Sequence, residues 1–134
     1  MIVVDTNIIA YLHLTTEWSQ RACDLLQKDA DWLAPLLWRS EFRNVLGGYL
    51  RKGVLSLEQA KQIIAEALRT MSGREFSVSS NRVLDLTAAS ACTAYDCEFV
   101  ALAQDLGIRL VTTDRQILAS FPETAISLDE FLGA

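Results

Sequence analysis

The sequence predicts an α/β fold in which a mostly parallel sheet of four or five strands is covered by helices on both faces. Short apolar runs alternate with stretches of helical periodicity along the whole chain. Strands separated by helices need crossover connections, which make neighbouring strands parallel. The first run, Ile2-Val3-Val4, is apolar at every residue rather than at alternate ones, as a strand buried on both faces must be. A length of 134 residues, 51% hydrophobic and 22% charged, supports one domain over 1–134 with a core of ordinary size and excludes a disordered chain.

Taken in order, Ile2 to Val4 is the first strand, Asp5-Thr6-Asn7 ends it, and a helix runs through Ile8 to Leu12. Thr16 is placed to cap a second helix, Glu17 to Lys28, with Trp18, Ala22, Leu25 and Leu26 on one side. Asp31 to Ala34 is a weak second strand. Pro35 suits the first turn of a long helix to about Lys52, where Trp38, Phe42, Val45, Leu46 and Tyr49 recur at helical spacing. Gly53 stops it, and Ser56-Leu57-Glu58-Gln59 is a capping-box pattern opening a helix to about Met71. Glu75 to Ser79 reads as a third strand and Asn81 to Ala91 as a helix. Tyr95, Phe99, Leu102, Ala103 and Leu106 form the apolar stripe of the next helix, which Gly107 ends. Arg109 to Thr112 is a fourth strand, Asp114 to Ala119 a short helix and Thr124 to Ser127 a fifth strand. Ser127 to Glu130 again fits a capping box, for a last turn ending at Gly133.

Acidic residues outnumber basic ones by 17 to 12, a net charge of -5. A broad basic coat for nucleic acid is therefore excluded, since such affinity comes from Lys and Arg releasing counterions, whereas a local site is not. Cys23, Cys92 and Cys97 are odd in number and contain no C-x-x-C pair, which argues against a disulfide framework or a tetrahedral zinc site and predicts buried, reduced thiols. No apolar run approaches the ~18 residues needed to span a bilayer, so the expectation is a soluble, cytoplasmic protein with no membrane partner.

In open parallel sheets ligands bind outside the carboxyl ends of the strands. That rule selects Asp5 after the first strand and Asp114 after the fourth. It also selects Glu41, about two turns into the helix after the second strand, and Asp96, in the first turn of the helix leading to the fourth. Asp5 also suits a turn former, Asp96 a favourable charge at a helix N-terminus and Asp114 a helix cap. Glu41 adjoins the apolar stripe, with Leu37 and Val45 one turn either side and no Lys or Arg within a turn on that face. Four carboxylates converging without basic neighbours repel one another, which raises their pKa values and favours a hard cation such as Mg²⁺ or Mn²⁺. Two such ions roughly 3.5 to 4 Å apart can cleave a phosphodiester. His13, the only histidine, is expected at the surface or in a loop.

Four blocks together carry a family resemblance: Val3-Val4-Asp5-Thr6-Asn7, Ser40-Glu41-Phe42-Arg43-Asn44-Val45-Leu46, Tyr95-Asp96 within Thr93 to Ala103, and Leu110-Val111-Thr112-Thr113-Asp114. In order and spacing they resemble the PIN domain, and in particular the small VapC-type toxins of toxin-antitoxin pairs. The resemblance implies a three-layer α/β/α sandwich and a Mg²⁺- or Mn²⁺-dependent endonuclease for single-stranded RNA. It implies Asp5, Glu41, Asp96 and Asp114 as the acidic, metal-holding quartet, with Thr112 and Asn7 in support. It further implies a homodimer and a cognate antitoxin that places a basic side chain in the acidic pocket.

Residues 36–52 carry Arg39, Arg43, Arg51 and Lys52 against Glu41 alone, and Arg39 and Arg43, one turn apart, are candidates for RNA phosphates. Residues 116–134 carry Glu123, Asp129 and Glu130 without a Lys or Arg, an acidic surface for a basic partner. Trp18, Trp38, Phe42, Phe99 and Tyr95 all fit core stripes, so no exposed stacking aromatic is expected. Alternatives are a PIN-like nuclease of RNA processing without an antitoxin and an inactive PIN-like protein-binding module. A phosphatase using Asp5 as nucleophile would want a second Asp at position 7, which is Asn, and a late lysine, whereas no Lys follows Lys61.

Overall fold

The computed structural model describes residues 1–133. The chain runs β1 (Ile2–Val4), α1 (Thr6–His13), α2 (Ser19–Lys28), β2 (Trp32–Pro35), α3 (Trp38–Arg51), α4 (Leu57–Thr70), β3 (Glu75–Phe76) and α5 (Ser80–Ala88). It continues through α6 (Ala94–Leu106), β4 (Leu110–Thr112), α7 (Arg115–Ser120), β5 (Ala125–Ser127) and α8 (Leu128–Leu132). The five strands form one sheet in the order β3-β2-β1-β4-β5, with every pairing parallel. Val3 pairs with Leu33 of β2 on one side and Leu110 of β4 on the other.

Strand order explains the layers. The crossovers from β1 to β2 and from β2 to β3 run one way along the sheet, and the return from β3 to β4 runs the other. With right-handed connections the two directions place their helices on opposite faces. Accordingly α1 packs with α2, α3 and α4, while α6 packs with α5 and lies against β1, β2 and β4. The result is a three-layer α/β/α sandwich. The core is centred on β1, whose three residues are all buried, and on α6, where Phe99 to Ala103 are buried without a break. Among the described residues no helix is long and apolar enough to cross a membrane.

Most expected elements stand within a few residues of their places, and the differences have local causes. Pro35 ends β2 rather than opening α3. The N–H groups of its neighbours Ala34 and Leu36 donate to Arg74 and Phe76 carbonyls at 3.1 and 3.0 Å, so the missing N–H falls on the alternate side, at the end of the strand. Thr16 organises a turn instead of capping a helix: its hydroxyl accepts from the Trp18 N–H at 3.1 Å, its own N–H donates to Ser19 Oγ at 2.8 Å, and α2 begins only at Ser19. The third strand is two residues long and edges the sheet, and α5 stops at Ala88. The Ser56 to Gln59 capping box forms with both of its hydrogen bonds.

Two side-chain expectations are corrected. Cys92 and Cys97 are buried and free, but Cys23 is exposed. His13 is no loop residue; it closes α1, half-buried, with its ring 6.4 Å from that of Phe42. Burial pushes its pKa down against the opposing charge of Glu66, and its buried Nε2 has no hydrogen-bond partner.

Trp38 and Phe42 are fully buried and fix the roll of α3 about its axis. Truncating Phe42 leaves a cavity that close-packed neighbours fill only in part. Phe42→Ala is expected to lose about 3–5 kcal/mol in urea unfolding at an unchanged m-value; a loss below about 1 kcal/mol would show that α3 is not held this way.

Candidate active site

The chain reverses direction across the sheet between β1 and β4, and such a switch point opens a crevice at the carboxyl ends of the strands. Asp5 and Asp114 are the residues that leave those two strands. Each caps the helix that follows. Asp5 Oδ1 accepts from the Asn7 N–H at 3.0 Å, and Asp114 Oδ1 accepts from the N–H groups of Gln116 and Ile117 at 2.8 and 3.0 Å. The capping alternative and the site reading are thus compatible, because one oxygen of each carboxylate serves the helix.

Thr112 joins the two residues. Fully buried, its hydroxyl donates to Asp5 Oδ2 at 2.5 Å and accepts from the Asp114 N–H at 3.0 Å. Glu41 projects from α3 and accepts from the Thr6 hydroxyl at 2.7 Å. That hydroxyl is the partner which no basic residue within a turn of Glu41 supplies. Asp96 sits in the first turn of α6, where Thr93 Oγ1 accepts from its N–H at 3.1 Å.

All four carboxylates and Asn7 line one cavity of about 480 Å³, within the roughly 300–1,000 Å³ of small-ligand sites. Burial holds the carboxyl of Asp5 above its usual range, with the charges of Asp114 and Asp96 adding to the effect and bonds from Thr112 and Asn7 opposing it. Glu41 is raised by burial and by Asp5, Asp96 and Glu98, against its bond from Thr6. Asp96 is raised by burial and by Asp114. Glu98, not foreseen, is a fifth carboxylate within reach of Glu41 and is itself raised by burial.

The donor set is all oxygen, anionic and mutually repelling, which is the chemistry of a hard divalent cation site. Among the described residues no three His, Cys, Asp or Glu side chains stand together closely enough to hold a metal ion by themselves, so the four carboxylates share a cavity without forming a closed ligand set. An open arrangement suits Mg²⁺, which keeps several waters and takes few carboxylates.

The basic candidates separate. Arg39 is bound to Glu75 through two bonds of 2.5 and 2.6 Å, and Trp38 Nε1 adds a third to the same carboxylate at 2.7 Å. Arg39, 43% exposed, thus fastens α3 to β3, and a phosphate would have to compete with Glu75 for it. Arg43 is exposed and donates to Ser40 Oγ at 3.1 Å, beside the cavity. The expectation for Tyr95 is corrected. It is 62% exposed and lines the cavity instead of joining the core stripe. Ser40 and Asn44 line it too, and were legible in principle: with Leu37, Glu41 and Val45 they recur at helical spacing on one face of α3.

The PIN domain family profile matches residues 2–124. The chain is 27% identical to ribonuclease VapC3 of Pyrobaculum aerophilum over 124 residues, covering 90% of this chain and 95% of that protein. The fold is similar to the crystal structure of PAE2754 from Pyrobaculum aerophilum, with a TM-score of 0.78 at 21% identity over 98% of this chain and 93% of that one. It is also similar to a toxin-antitoxin complex from Klebsiella pneumoniae, with a TM-score of 0.70 at 19% identity over 96% of this chain and 98% of that one.

Raised carboxylate pKa values have a thermodynamic sign. The folded state binds these protons more tightly than the unfolded state, so the associated stability is fully present below the unfolded carboxylate range and is lost as pH rises through the folded values. Asp96→Asn removes one such charge. In chelator, the variant is expected to be more stable than the parent at neutral pH, by on the order of 0.5 kcal/mol after solvent screening, with the gain vanishing toward pH 4. Taking the difference between two proteins cancels the opposite contribution of His13. A parent as stable as the variant at every pH would mean that the carboxylates do not repel one another.

Proposed function

The chain belongs to the PIN domain family, and from that premise we propose that it is a divalent-metal-dependent endoribonuclease for single-stranded RNA, acting as the toxin of a toxin-antitoxin pair. The observation that carries the reading is the convergence of Asp5, Glu41, Asp96 and Asp114 on one cavity at the switch point of the sheet. The similarity to ribonuclease VapC3 over nearly the whole of both chains supports the chemistry, and the similarity in fold to a toxin-antitoxin complex is in keeping with the biological role.

Asp5, Glu41, Asp96 and Asp114 would hold Mg²⁺ or Mn²⁺. When bound, the cation supplies activation of a water and neutralisation of charge on the leaving oxygen. The protein's own groups do the positioning. Thr112 turns Asp5 Oδ2 toward a fixed direction, Asn7 and the α7 amides orient the other carboxylate oxygens, and Thr6 does the same for Glu41. Arg43, exposed and bonded to Ser40 at the margin of the cavity, is the favoured phosphate contact, since Arg39 is engaged by Glu75. It acts on RNA in the cytoplasm.

A cognate antitoxin would enter the same cavity with a basic side chain, because a guanidinium pairs with the carboxylates that otherwise hold the cation. The protein works as a homodimer in this reading. A small antitoxin-like gene beside this one would separate the toxin from a PIN nuclease of RNA processing.

Asp5→Asn and Asp114→Asn are expected to lower cleavage of single-stranded RNA by roughly 100-fold or more while the circular dichroism spectrum stays native. Excess chelator should have the same effect on the parent, with Mn²⁺ restoring activity. Full activity of either variant, or of the parent in chelator, would overturn the mechanism.

A further inference from the structure

The lining of the cavity is not acidic throughout. Beside the carboxylates it carries Leu37, Val45, Tyr95, Phe99 and Ile117, together with the polar Ser40 and Asn44. A metal-phosphate site does not need an apolar wall; a phosphodiester carries a base on each side of the scissile bond, and a base needs one. Phe99 is buried and belongs to the core, whereas Tyr95, one turn earlier on α6, turns out of it and stands 62% exposed. Exposure alone marks nothing, but this ring adjoins Asp96 in sequence, shares its cavity, and pairs an apolar face with a polar tip.

We propose that Tyr95 is the stacking platform for a base next to the scissile phosphate, so that the site takes an unpaired nucleotide and discriminates against a duplex. The inference rests on the ribonuclease reading above. Physically, the carboxylates of a net-acidic protein offer RNA little attraction before the cation neutralises them, and Arg43 supplies only one basic contact. A face-to-face contact between base and ring adds affinity that needs no positive charge and tolerates any base, because every base has a π face. A base within a helix is already stacked on both sides and cannot reach a ring on the cavity wall without being extruded. Tyr95 is a positioning residue, touching the nucleotide and not the reacting atoms.

The test is steady-state cleavage of a single-stranded RNA of mixed sequence in Mn²⁺ by the parent, Tyr95→Ala, Tyr95→Phe and Tyr95→Trp. Tyr95 is exposed at a helix end, so its truncation leaves the fold intact, and equal Mn²⁺-induced thermal stabilisation of parent and Tyr95→Ala checks that the cation site is unchanged. The expected result is a KM raised on the order of tenfold in Tyr95→Ala with kcat little changed, and near-parental values in both aromatic variants. Removing the base beside the mapped cut should weaken cleavage by the parent and have little further effect on Tyr95→Ala. An unchanged KM in Tyr95→Ala, or the same penalty for the missing base in parent and variant, overturns the stacking role while leaving the ribonuclease reading standing. Absence of cleavage by the parent overturns both.

Discussion

A carboxylate buried at the carboxyl end of the central strand is the constraint around which this molecule is arranged. Asp5 has little contact with solvent, no cationic side chain among its hydrogen-bond partners, and the charges of Asp96 and Asp114 nearby. It is tolerated there because the Thr112 hydroxyl and the Asn7 amide both donate to it. Such bonds offset part of the cost of burial without removing the charge. Thr112 in turn sits on the strand paired with β1, so the pairing that builds the sheet also holds the carboxylate. The fold and the site share one set of interactions at this point.

The rest of the architecture serves the same rim. The two chain directions that diverge from β1 and β4 open the crevice, and α3 and α6 lean over it from opposite layers of the sandwich. Trp38 and Phe42 set the rotation of α3 so that Glu41 faces the cavity, and the Arg39 to Glu75 pair fastens the start of that helix to the edge strand. The carboxylates gain nothing in stability from facing one another. Their arrangement fits the cation site proposed above, where repulsion would be relieved on loading and stability given up locally for function.

What the sequence made legible follows from how local each signal is. Asp5 stands directly after an apolar strand and Asp114 two residues past another, and a topological rule alone brings strand ends to one rim. Asp96 and Glu41 were legible because helical spacing places them near that rim. The engagement of Arg39 was not legible because charge is written in the sequence and its partner is not: Glu75 lies on a strand that folding brings against α3. Tyr95 was misjudged for another reason. A helical stripe names a face, but in the first turn of α6 that face meets the cavity, which both the exposed Tyr95 and the buried Phe99 line. Pro35 shows the same limit for the backbone, since a residue suited to a helix start is equally tolerated at the end of a strand. Ser40 and Asn44 carried a usable signal in their spacing from Glu41.

The central claim is that the four carboxylates form one cation site. A crystal of this protein soaked in Mn²⁺ and measured for anomalous scattering tests it most directly. A Mn²⁺ peak is expected in the cavity, contacting Asp5 together with Asp96 or Asp114, and it should disappear in Asp5→Asn. A Mn²⁺ bound elsewhere, with the cavity empty at saturating metal, would contradict it.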